Sequence, residues 1–123
     1  MNSSLHAMES TSDYLPLPEV VDLAPNEDYA LVGEYPVMVG EQSVENQRRY
    51  ISSLAGPDGQ ELFFKRTGSC CPYESKNGTL GTAIVDVFEV TYRGLKKPIL
   101  LFISFYDKEP LYIPHRFTRR NIK

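Results

Sequence analysis

The 123-residue chain has no tryptophan, only two histidines and two cysteines, and no lysine or arginine before Arg48. Each scarcity removes a class of function. Zinc prefers four ligands at spacings such as Cys-x2-Cys, and adjacent Cys70 and Cys71 cannot readily bind one ion together. No metal and no other cofactor is therefore expected. The turn glycines of Gly56-Pro57-Asp58-Gly59 and Gly78-Thr79-Leu80-Gly81 lack the Lys-Ser/Thr that completes a phosphate loop. The longest apolar run, Ile99 to Phe105, is interrupted by Ser104, whereas a membrane-spanning helix needs roughly 18 residues. No membrane span is expected. Met1 to Ser12 lack the basic start and apolar run of a signal peptide. As written, the chain reads as cytoplasmic, with a periplasmic or envelope location as the alternative if a leader has been removed.

What is present is unevenly spread. Residues 1–41 carry eight acidic residues and no base, and residues 42–123 carry eight acids and all thirteen bases, so the halves bear −8 and +5, which sum to −3. This split suggests an acidic arm on a mildly basic body. Residues 1–28 are rich in Ser, Asp, Glu and Pro and read as a flexible arm, solvated or folded back on the body. The apolar insert Leu15 to Val21 is the part suited to docking. Residues 29–123 read as a single α+β domain, a length that supports one hydrophobic core. The basic end with Arg116, Phe117, Arg119, Arg120 and Lys123 reads as a solvated tail. The overall acidity, with a pI near 5.4, argues against nucleic acid as a partner.

Within the domain, Tyr29–Val32 and Tyr35–Val39 predict short strands, with Pro36 placing the second at an edge or a strand start. Ser43 to Leu54 predicts a helix capped by Ser43 with Glu45 in its first turn. Its apolar stripe runs through Val44, Ile51, Leu54 and Ala55, beside Gln47 and Arg48. Glu61–Arg66 predicts a strand, followed by a cysteine loop and an Asn77-Gly78 turn. Thr82–Tyr92 alternates as a strand buried on its even-numbered face. Ile99–Tyr106 is apolar on both faces and reads as central. Leu111–Ile113 predicts a last strand. Together these give an α+β fold, a mostly antiparallel sheet of about five or six strands with one helix packed on it.

Candidate chemistry centres on Thr67-Gly68-Ser69-Cys70-Cys71-Pro72-Tyr73-Glu74. As an enzyme, Cys70 or Cys71 would be a nucleophile with His115 as base and Asp86 or Glu74 as orienter, the thiol acidified by Lys65, Arg66 or His115. His6, the other histidine, lies in the arm. As structure, one cysteine packs in the core while the loop turns tightly, and the thiols stay free in a reducing compartment. A vicinal disulfide is a third state of the pair. Asp86, a carboxylate on an apolar strand face, needs partners if buried, and Arg48, Arg49 or the backbone of the cysteine stretch are candidates. Arg48 and Arg49 themselves read as a solvated pair, one of them free to hold a carboxylate.

Several segments resemble a family of small bacterial proteins. They are Gln47-Arg48-Arg49-Tyr50, Leu54-Ala55-Gly56-Pro57-Asp58-Gly59, Gly68-Ser69-Cys70-Cys71-Pro72, Asp86 to Leu95 and Tyr112-Ile113-Pro114. Many members look like lipoproteins and carry the label 2-dehydro-3-deoxyphosphooctonate aldolase. The resemblance spans roughly residues 33–117 and implies no assigned activity. The enzymes that make that sugar phosphate resemble TIM barrels of about 200 residues or more, and this chain has neither their length nor their β/α repeat. The expectation is a non-enzymatic binding protein with a protein partner, one form being a bacterial immunity-type toxin neutraliser. The alternative is the small cysteine-dependent enzyme. Arg48, Arg49, Tyr73, Glu74 and Tyr112 are the candidate binding residues, since Tyr and Arg supply much of the contact energy at interfaces.

Overall fold

A computed structural model describes residues 8–121. Its strands are β1 (Glu9–Ser10), β2 (Val37–Met38), β3 (Leu54–Ala55), β4 (Phe63–Thr79), β5 (Thr82–Thr91), β6 (Ile99–Ser104) and β7 (Thr118–Arg119). The α-helix among the described residues, α1, spans Val44–Ile51. Five strands form one sheet in the order β1-β4-β5-β6-β2, and β3 pairs with β7 separately. The class is α+β, as expected. The sheet is mixed rather than purely antiparallel, because β2 runs parallel to β6 through Val37↔Ile103 and Met38↔Ser104. No helix among the described residues is long and apolar enough to cross a membrane.

The β4–β5 hairpin is the frame. It turns at Leu80-Gly81, where φ is 53° and 82°. Two successive positive φ values match the right-handed twist of the flanking strands. The sequence predicts this turn at Asn77-Gly78, but both residues lie inside β4. Gly78 is needed for another reason: a Cβ there would overlap the Thr82 carbonyl as the strands close. On β5 the even residues Asp86, Phe88 and Val90 are buried, as the alternation predicts, but nearer the turn the buried residues are Ala83 and Val85. The β5–β6 ladder ends at Asp86↔Ile103, so Ile84 loses its cover and is 38% exposed.

The helix packs on the even face of β5. The Ser43 hydroxyl accepts from the Asn46 N–H at 2.9 Å, which ends the orphan-donor run at the N-terminus. Gln47, Tyr50 and Ile51 are buried. Val44 is 53% exposed, so the inward stripe is rotated toward Tyr50 relative to the predicted one. The core joins these residues to Phe64, Phe88, Val90, Leu101 and Ile103.

Three predicted features differ. Tyr29–Val32 forms turns, with Ala30 at φ 69°, instead of a strand. Leu111–Ile113 makes only a single bridge, Ile113 to Leu23. Residues 8–24 of the predicted flexible arm take the folded-back alternative and lie along the body as a strap, with Leu17 and Val20 of the expected docking insert buried along with Ala24, while His6 lies outside the described residues. The reason is a set of arginines. Arg48 Nε pairs with the Glu9 carboxylate at 3.2 Å and its guanidinium sits 5.5 Å over the Phe88 ring. Arg49 donates to the Leu15 and Pro16 carbonyls, each at 3.0 Å. Arg120 Nη1 donates to the carbonyls of Thr11, Tyr14 and Ser52 at 2.7, 3.2 and 3.0 Å. Arg48 and Arg49 are not a solvated pair, and at the basic end Arg120 and the buried Phe117 are held in the body whereas Arg116 and Arg119 stay exposed.

A second knot is made of tyrosines. The Tyr50 hydroxyl donates to the Tyr112 carbonyl at 2.6 Å. The Tyr112 N–H donates to the Tyr29 hydroxyl at 3.2 Å, and the Tyr29 and Tyr112 rings meet edge to face at 5.7 Å. Burial pushes Tyr29 from 10.0 up to about 12 and raises Tyr50 well above its ordinary value.

Replacing Arg120 with Ala strands three carbonyl acceptors and is expected to lower the urea-unfolding free energy by roughly 2–3 kcal/mol; a loss within error would show that the strap does not depend on it. The raised tyrosines give a second expectation. Below pH 10 both are neutral folded and unfolded, so their stabilisation is complete. As pH rises from 10.0 to about 12, the unfolded chain releases protons that the folded chain retains, and stability falls. Urea unfolding across that range should show the decline, and Tyr50→Phe should flatten it.

Candidate functional site

The cysteine stretch is not a loop. It lies within β4, whose pairing with β5 slips between Arg66 and Gly68, between Cys70 and Tyr73, and between Glu74 and Thr79. Cys70 stands opposite Val85 and Tyr73 opposite Ala83, which leaves Cys71 and Pro72 as bulged residues. Neighbouring side chains on a regular strand point to opposite faces. Cys71 escapes that rule by adopting φ 61°, which turns its side chain back toward Cys70. The two are joined as a vicinal disulfide with Cα atoms 3.7 Å apart, in place of the expected free thiols. Among the described residues there is no free cysteine.

This bulge walls a groove of about 670 Å³ on the sheet face opposite α1, lined by Gly33, Glu34, Pro36, Met38, Cys71, Pro72, Tyr73 and Phe102. Pairing explains why they meet. Tyr73 opposes Ala83, Val87 opposes Phe102 and Met38 opposes Ser104, all on that face. The Tyr73 hydroxyl shares a 2.6 Å hydrogen bond with the Ser104 hydroxyl and approaches the Met38 thioether at 3.4 Å. Burial, ahead of the other influences, raises the Tyr73 pKa. Gly33 touches the disulfide so closely that a Cβ there would overlap Cys71 Sγ. Glu74 is exposed on the strand beyond it.

The other candidate residues lie elsewhere. Asp86 is 8% exposed and faces α1. Its partners are Gln47, whose Nε2 donates at 2.7 Å, and Arg66, whose Nε and Nη2 approach at 3.0 and 2.9 Å. Arg48, Arg49 and the cysteine backbone, the predicted partners, are engaged otherwise. Gln47 Nε2 also donates to the Ile103 carbonyl at 3.1 Å, so this amide clasps the helix to two strands. His115 Nε2 donates to the Ala24 carbonyl at 2.9 Å. Among the described residues no hydrogen bond links His115 to Cys70, Cys71 or Asp86, and Cys70 and Asp86 occupy opposite faces of β5's sheet. The nucleophile, base and orienter of the enzyme reading are therefore not brought together. Arg48 and Arg49 hold the strap, and Tyr112 contributes backbone groups to the tyrosine knot; of the candidate binding residues, only Tyr73 lines the groove. No cluster of three or more His, Cys, Asp or Glu side chains suited to a metal occurs among the described residues.

Sequence reasoning missed Met38, Pro36, Gly33 and Phe102 as groove residues, because only the parallel β2–β6 pairing and the turns at 29–35 bring them to the cysteines. It missed Gln47 and Arg66 as partners of Asp86. Gln47 was visible in one respect, as a polar residue on the helix stripe that faces the core. Comparison of the chain with protein-family models, curated proteins and solved structures finds no match.

Replacing Asp86 with Ala takes one of its two acceptors from the buried Gln47 amide and leaves Arg66 without its counter-ion. It is expected to destabilise the fold by roughly 2 kcal/mol, since the Arg66 side chain remains half-solvated. Asp86→Asn should recover part of the loss. Chemical denaturation of the two variants checks this, and equal stability of Asp86→Ala and the parent chain would contradict it.

Proposed function

We propose that the chain is a non-enzymatic small binding protein that recognises a protein partner. The observation that carries the reading is the groove beside Cys70–Cys71. Its wall combines Tyr73, Phe102, Met38 and Pro72, the apolar and aromatic mix that supplies contact energy at interfaces. A strained bulge residue and a covalent cross-link hold that wall in one shape, which lowers the ordering cost of binding. Glu34, exposed at the groove, adds one negative charge for orientation. The polar groups that chemistry would need are meanwhile occupied: Asp86 by Gln47 and Arg66, and His115 by the Ala24 carbonyl. The resemblance of the Gly-Ser-Cys-Cys-Pro block to small bacterial proteins is in keeping with a scaffold built around this bulge. An immunity-type protein that covers a toxin's surface is one concrete form.

The cysteine-enzyme alternative needs a thiolate, and a sulfur held in a disulfide is not one. Affinity capture tests the binding reading. The full chain is expected to retain a protein partner from an extract of its source, with cross-links mapping to the groove. A folded Glu34→Arg, Pro72→Asp double variant should retain about tenfold less. Equal retention by both forms, or cross-links confined to another face, would refute this site.

A further inference from the structure

We infer that a second cleft, on the strap side of the molecule, binds a phosphomonoester with an apolar organic part. The cleft has a volume of about 750 Å³ and is lined by Arg49, Arg119 and Arg120, with Leu15, Leu17 and Val20 among its apolar lining residues. That volume falls in the range of small-molecule sites, roughly 300–1,000 Å³. Three arginines gather here in a chain of net charge −3, and the nearby carboxylate, Glu19, which feels the charge of Arg49, is paired with Lys108. Among the described residues no Asp or Glu lines the cleft, and the ion pairs are made by Arg48, Arg66 and Lys108 instead.

The arginines are also incompletely used. Each guanidinium carries five N–H donors in a fixed fork. Arg49 donates through Nε and Nη2 to strap carbonyls, and Arg120 donates through Nη1 alone. Among the described residues Arg49 Nη1, Arg120 Nε and Nη2, and the whole Arg119 fork have no protein acceptor. Backbone carbonyls, which carry no net charge, therefore hold two of the forks in place, and Glu19, already paired with Lys108, only partly offsets Arg49. Anchored guanidinium forks match the oxygens of a phosphate, where two parallel hydrogen bonds form at once. Three positive charges favour a dianionic phosphomonoester over a singly charged carboxylate, and Leu15, Leu17 and Val20 offer its organic part an apolar wall. The strap supplies that wall and two of the arginines bind the strap, so occupancy should tighten the strap on the body.

Isothermal titration of phenyl phosphate into the full chain at low salt tests the site, with inorganic phosphate and benzoate as comparison probes. Phenyl phosphate is expected to bind at least about tenfold more tightly than either, and more weakly as salt rises. Arg119→Gln should weaken it about tenfold while leaving urea unfolding unchanged, because Arg119 anchors no strap carbonyl. Bound phenyl phosphate should slow proteolysis within residues 8–24. Absence of binding at millimolar phenyl phosphate, equal affinity in Arg119→Gln, or inorganic phosphate binding as tightly as phenyl phosphate would each overturn the inference.

Discussion

The structure depends on one buried carboxylate. Asp86 sits where the β5–β6 ladder ends, and a charge in that position is tolerated only with close partners. Gln47 supplies an amide proton from the helix, and Arg66 supplies the counter-charge from the neighbouring strand. Because the same Gln47 nitrogen also binds the Ile103 carbonyl, the helix is fixed against two strands by one side chain. Once α1 is fixed, Arg48 and Arg49 project from it to Glu9, Leu15 and Pro16. The strap is thus positioned by the helix, and the helix by Asp86.

That dependence gives the sheet two unlike faces. The even face of β5 carries the helix and most of the core. The opposite face near the turn carries the cysteine bulge, Tyr73 and Met38, with residues 33–36 beside them. Folding uses the first face and leaves the second as a groove whose shape is set by backbone geometry and a cross-link. The charge asymmetry between the two ends of the chain has a related outcome. The acidic N-terminal stretch is held through backbone carbonyls as much as through carboxylates: Glu9 and Glu19 pair with Arg48 and Lys108, while Arg49 and Arg120 bind main-chain oxygens.

The sequence carried the regular parts of the fold well. Ser43 and Glu45 marked the helix start, Pro36 marked an edge or a strand start, and the alternation of Asp86, Phe88 and Val90 marked a buried face. It carried the long-range parts poorly, for identifiable reasons. Tyr29–Val32 has strand-like composition but turns through Ala30. The Asn77-Gly78 pair looks like a turn but closes a strand, because Leu80-Gly81 takes the positive φ values. Proline and acid content made residues 8–24 look unstructured, since composition does not reveal three arginines waiting 30 to 110 positions later. The candidate site was half readable: Cys70, Cys71 and Tyr73 were identified, whereas Gly33, Met38 and Phe102 join them only through tertiary pairing.

The central proposal is that Cys70–Cys71 is a wall of a binding surface and not a catalytic thiol. Alkylation with iodoacetamide near neutral pH, followed by intact mass, tests it most directly. The folded chain, isolated without reductant, should take up no label, and should take up two labels only after a reductant is added. Rapid uptake of a single label by the untreated folded chain, abolished by His115→Ala, would contradict the account.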